Sequence, residues 1–129
     1  MFTKKPKRVG LIDGKFHPCP KSPNCVSTHS SNEKHKMEPI KYEGSVEEAK
    51  SKIITIINSL KRSKIVTETE NYLHIEFRTA VWRFVDDVEF YFDDKEKVIH
   101  FRSAARLGYS DLGVNRKRMK NIKELYLKT

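Results

Sequence analysis

Between residues 72 and 102 the character of the side chain changes at almost every step. Leu73, Ile75 and Phe77 alternate with Tyr72, His74, Glu76 and Arg78; Val88, Phe90 and Phe92 alternate with Asp87, Glu89 and Tyr91; Ile99 and Phe101 alternate with His100 and Arg102. Successive side chains leave a strand in opposite directions, so a period of two predicts strands whose two faces meet different surroundings. An Asp-Asp-Lys-Glu-Lys loop at 93–97 marks a hairpin, Glu70 and Asn71 mark a turn, and "KIVTETE" supplies a further short β-rich run. The pattern predicts antiparallel architecture of about four strands.

On either side of this block the period changes. In "GSVEEAKSKIITIINSLKR" the apolar residues Val46, Ala49, Ile53, Ile56, Ile57 and Leu60 recur at helical spacing, and Ser45 with Glu48 has the spacing of a capping box. A second helix is predicted from about Asp111 to Tyr126, with Met119, Ile122, Leu125 and Tyr126 as a narrower apolar stripe. The order α-β-β-β-β-α, with both helices on one face of the sheet, predicts the α+β class. Residues 1–40, rich in Pro, Ser, Asn, Lys and Gly, have no sustained period. They are expected to form an irregular arm lying on a domain of residues 41–129, anchored by Val9, Leu11, Ile12, Phe16 and Val26. The 129 residues suit a single domain.

The net charge of +9 is unevenly spread. Residues 1–36 hold eight Lys and Arg against two acids and residues 112–129 hold six against one, whereas the middle is slightly acidic. Basic ends around a balanced body, with no helix-turn-helix, zinc-finger or aromatic RNA-binding signature, argue against specific nucleic-acid recognition. No run approaches a membrane span and no signal-peptide h-region opens the chain, so a cytoplasmic protein without a transmembrane segment is expected.

If the apolar set points to the helices, the reverse face collects His74, Glu76, Arg78, Asp87, Glu89, Tyr91, His100, Arg102 and Arg106. One reading is a solvent-exposed ladder of opposite charges. The other is a face covered by the arm or a ligand, in which Arg78, Arg102 and Arg106 meet an anion while Glu76, Asp87 and Glu89 orient them; the arginine fork suits a carboxylate or phosphate. Arg102 and Arg106 also lead to a helix start that is oddly loaded with Arg116, Lys117 and Arg118. Positive charge there calls for an anion. Either Asp111 supplies it as the cap, the simpler expectation, or an external group sits on free N–H groups near Ser110. The candidate ligand-binding set is thus Arg78, Arg83, Arg102, Arg106, Ser110, Asp111 and Arg116, with Glu76, Asp87 and Glu89. The partners expected are an anionic small molecule, a lipid headgroup or an acidic protein segment.

Cys19 and Cys25 are the two cysteines, with His17 and His29 nearby. A C-x5-C pair matches zinc spacing poorly, a short-loop disulfide is sterically allowed but disfavoured in a reducing cytoplasm, and a nucleophilic thiol needs a positioned base. Ordinary reduced thiols are expected. There is no P-loop, G-x-G-x-x-G, G-x-S-x-G or H-E-x-x-H, so no cofactor or metal is expected and a binding role is favoured over an enzymatic one. The alternatives kept are a cysteine-dependent hydrolase or redox enzyme, and nonspecific binding of nucleic acid or acidic membrane through the basic ends.

The segments "HPCPKSPNCVST", "YLHIEFRT", "WRFVDDVEFYFD" and "VIHFRSAARLGYSDLGVNRKRM" together resemble the bacterial and plastid family known as domain of unknown function 1499, over roughly residues 15–125. The resemblance implies that arm, sheet and final helix form one unit, and it implies no activity, cofactor or substrate. Some similar proteins carry a preceding membrane or export segment; the expected lack of one here argues further against a disulfide.

Overall fold

The computed structural model describes residues 8–108 and 111–129; the expectation at Ser110 falls outside them. The element order is β1 (Leu11–Ile12), β2 (Lys15–Phe16), β3 (Cys25–Ser27), β4 (Ile40–Lys41), α1 (Val46–Ser59), β5 (Ser63–Glu68), β6 (Tyr72–Arg78), β7 (Val85–Asp93), β8 (Val98–Ala105) and α2 (Val114–Leu127). The class is α+β, with a six-stranded sheet rather than the four expected. Its path is β3-β8-β7-β6-β5, all antiparallel, and β4 also pairs with β8. β3 meets residues 102–104 of β8 while β4 meets 98–99, so the two short strands lie end to end along one edge of β8. Strands of two or three residues cannot express a period; β8's edge specifies them, not their own sequence. The stretch expected to be irregular therefore contributes directly to the sheet.

The expected alternation holds on β6, β7 and β8. Leu73, Ile75, Phe77, Val88, Phe90, Phe92, Ile99 and Phe101 join Ile53, Ile57, Met119, Ile122 and Tyr126 in one buried cluster between sheet and helices. Burial of these side chains contributes about 1.5–3 kcal/mol each, which makes this layer the main source of stability.

α1 opens with the predicted capping box: Glu48 N–H donates to Ser45 Oγ (3.1 Å) and Ser45 N–H to Glu48 Oε1 (3.1 Å). α2 begins three residues later than expected. Leu112 (φ 55°) and Gly113 (φ 80°) are left-handed, a conformation an α-helix of L-residues does not propagate. On β5 the pairing slips between Ile65 and Thr67, leaving Val66 as a bulge.

Candidate functional site

Strand pairing sets the rows of the reverse face. His74 lies opposite Glu89 and Glu89 opposite Arg102, while Glu76 lies opposite Asp87. Of the two readings of this face, the exposed ladder is overturned: His74, Asp87, Glu89 and Arg102 are all at most 3% exposed. The reason is the arm, which lies across them. Gly10 N–H donates to Glu89 Oε1 (2.8 Å), and Arg102 Nη2 donates to the Pro18 carbonyl (3.4 Å). Phe16 is buried against His29, whose ring in turn meets His100 at 4.2 Å.

Cys19 and Cys25 form a disulfide, which corrects the expectation of reduced thiols. Cys25 is fixed in β3 opposite Ala104, and the bend at 21–24 returns Cys19 to a Cα separation of 5.7 Å, within bridging range. The bond fastens the arm to the sheet edge, and in this state neither sulfur is a thiolate.

Beneath the arm the charges separate into two groups of unequal quality. In the first, Asp87 accepts from Arg106 Nε (3.0 Å) and Nη2 (2.6 Å), a forked pairing, while His74 Nε2 lies 2.8 Å from Asp87 Oδ1. Arg106 also donates to Glu76 Oε2 (2.7 Å), and Arg78 stands 3.6 Å from the other oxygen of Glu76. Burial alone would raise the Asp87 pKa, but hydrogen bonds from His74 and Arg106 outweigh it and hold the carboxyl below its usual range. The bond to Asp87 raises the pKa of Arg106. Such charge-assisted pairs are the strong ones.

The second group is poorly made. Tyr72 donates its hydroxyl to Glu89 Oε1 at 2.6 Å, but Glu89 and Arg102 approach only to 3.7 Å. Glu89 Oε2 and Arg102 Nε, both buried, have no hydrogen-bond partner among the described residues, nor do His74 Nδ1 and Arg106 Nη1. Burial dominates both partners: it raises the Glu89 pKa above its ordinary value despite Tyr72 and Gly10, and it lowers that of Arg102 despite Glu89. Both shifts favour the neutral forms. A buried charge lacking full compensation costs several kcal/mol per ion, so this pair is a place where a further group would stabilise the protein.

The helix start resolves differently. Asp111 accepts from Gly113 N–H (2.8 Å) and Asn115 N–H (3.0 Å), so an internal carboxylate occupies this position. Arg116 donates to the carbonyls of Lys34 and Lys36, and Arg118 donates to Asp86 (2.8 Å) and to Asn115 Oδ1 (2.8 Å) while covering the Phe77 ring. Arg83 lies exposed in the 79–84 loop. The face thus unites Arg78, Arg102, Arg106, Glu76, Asp87 and Glu89, whereas Arg83, Asp111 and Arg116 lie elsewhere.

Sequence reasoning placed His74 on this face but not in the site, and it left out Tyr72, whose hydroxyl bonds to Glu89. It missed the buried contacts of Asp86, Ser103, Asn115 and Arg118 between sheet and α2. One signal was present: Asp86 shares the parity of Val88 and Phe90, and an acid on an apolar face requires a cation from the helix above it. Gly10 and Pro18 left none, because they contribute backbone atoms only.

Among the described residues no helix is long and apolar enough to cross a membrane, and no group of three or more His, Cys, Asp and Glu is arranged to hold a metal ion. A comparison with curated proteins gives no match. The family model described as "Protein of unknown function (DUF1499)" matches residues 15–125, which take in the arm from Lys15 onward, the whole six-stranded sheet and nearly all of α2; the chain belongs to that family.

Proposed function

We propose that the chain is a small non-enzymatic binding domain that takes an anionic group, a carboxylate or a phosphate, on the arginine-bearing reverse face of its sheet. The observation that carries this reading is Arg102. The residue is 3% exposed, its contacts are long at 3.4 and 3.7 Å, and its Nε has no partner among the described residues. An anion bridging Arg102 and Arg106 supplies the acceptor that Glu89 does not, and the arm becomes the wall closing over it. Asp111 already fills the start of α2, so the reading narrows to the sheet. The Cys19–Cys25 bond supports an oxidising compartment rather than the cytoplasm expected from sequence.

Thermal unfolding with increasing inorganic phosphate or citrate, at constant ionic strength, tests the reading. The native protein should show a saturable rise in Tm, and Arg102→Lys, which keeps the charge and loses the fork, should lose that rise while still unfolding cooperatively. An equal rise in both proteins, or none in the native one, would overturn it.

A further inference from the structure

At the end of the sheet away from the β7–β8 hairpin, two loops present apolar side chains to solvent. The 79–84 loop is closed on itself by Phe84 N–H bonded to Thr79 Oγ1, and it holds Val81, Trp82 and Phe84 at 79, 76 and 59% exposure. The turn after β8 and the entry to α2 add Leu107 and Leu112 at 78 and 87%, with Val114 also exposed. Phe84, Leu107, Leu112 and Val114 line one apolar recess of about 300 Å³. Scattered surface leucines need no explanation, but an apolar recess with an exposed tryptophan and valine on the loop that supplies Phe84 to it marks an interaction site.

Its occupant is indicated by the charge beside it. A second recess, of about 230 Å³, is lined by Lys34, Arg116, Lys117 and Lys120 and shares Asp111 with the apolar one. Arg83, between Trp82 and Phe84, adds a cation within the exposed loop itself. The carboxylates bordering the two recesses are committed within the fold: Asp86 to Arg118, and Asp111 to the cap of α2. The surface is therefore oily at the tip and cationic beside it. An acidic protein groove would match the cations but leave Trp82, Val81 and Leu112 without apolar cover. A second copy would bring cation against cation. A bilayer with anionic headgroups matches both, because indole and aliphatic side chains settle at the acyl–headgroup boundary while lysines meet the phosphates.

We infer that this end of the molecule docks on an anionic lipid surface, with the 79–84 loop and Leu112 entering the interface and Arg83, Lys117 and Lys120 facing the headgroups. The inference does not depend on the reading of Arg102.

Trp82 is the sole tryptophan, so its fluorescence reports the contact directly. The full chain is mixed with phosphatidylcholine vesicles with and without phosphatidylglycerol. A blue shift of Trp82 and its quenching by lipids brominated in the acyl chain are expected with the anionic vesicles alone. Co-sedimentation should weaken about fivefold for each of Lys117→Gln and Lys120→Gln and should fall with rising salt. Trp82→Ser with Leu112→Ser should abolish sedimentation at unchanged Tm. No shift on either vesicle, sedimentation that survives the double serine variant, or a Trp82 shift that follows protein concentration without lipid and accompanies dimer mass would each overturn the proposal.

Discussion

Glu89 and Phe90 are neighbours in one strand and both are fully shut off from water, yet opposite physics holds them. Phe90 faces two helices through non-directional apolar contact, which is favourable wherever volume is filled. Glu89 faces an arm with little regular structure through a few directional bonds, some well formed and some missing. Burial by itself therefore says little about what a face is for. The helix side is closed and satisfied, whereas the arm side is closed and left with polar atoms unspent. Only the latter has a physical reason to accept something else.

The widest gap between the faces should appear on deletion. Phe90→Ala leaves a cavity in the helix-facing layer and should cost about 3–5 kcal/mol in urea unfolding. Asp87→Asn removes a charge from the well-made group, breaks its forked pairing and leaves Glu76 as the carboxylate facing Arg106. It should cost about 3 kcal/mol, near the lower end for a broken buried pair. A cost below about 0.5 kcal/mol, the level of an indifferent surface change, would mean that the arm side contributes no stability and the contrast fails.

Cutting the arm's fastening should loosen one side of the sheet and spare the other. Cys19→Ser opens a loop of sequence separation 6 and should cost about 2 kcal/mol, with amide exchange rising in 10–21 and unchanged in 119–126. Equal changes in both regions would show the arm to be integral to the core rather than clamped onto it.

Acid should separate the two faces more gently. The His29 pKa falls to about 4 from its ordinary 6.5, through burial first and then the charges of His100 and Lys15. The unfolded chain therefore binds the proton that the folded one refuses, and stability should decline as pH falls from about 6.5 towards 4. His29→Gln should flatten that slope in a series of Tm measurements. Asp87 adds a loss at lower pH, as its depressed carboxyl is protonated. Glu89 acts in the opposite sense, its raised pKa lowering stability as pH climbs above the usual carboxylate range.

Much of the sheet was legible because parity is local information. Leu73 against His74, or Phe90 against Glu89, declares its face from two adjacent letters, and Ser45 with Glu48 announces a helix start from four. What escaped depends on partners distant in the chain. Cys25, Val26 and Ser27 are a strand only because residues 102–104 lie beside them, and the short β4 depends on Ile99 and Val98 in the same way. The site was half legible for the same reason. Its arginines and acids share a parity, but the polar contacts of the cover come from backbone groups of Gly10 and Pro18, which no side-chain pattern encodes. At the helix start the anion is Asp111, the simpler of the two expectations, and Arg116 and Arg118 find acceptors within the fold, at arm carbonyls and Asp86.

The slip at Val66 bears on how the molecule behaves in company. β5 is the outermost strand at one end of the sheet, where unpaired amides and carbonyls invite a neighbour's strand to zip on. The extra residue breaks that template midway, and Lys64 and Glu68 stand exposed on either side of the break. A crowded solution of this protein is thereby discouraged from extending sheet into filament at that rim.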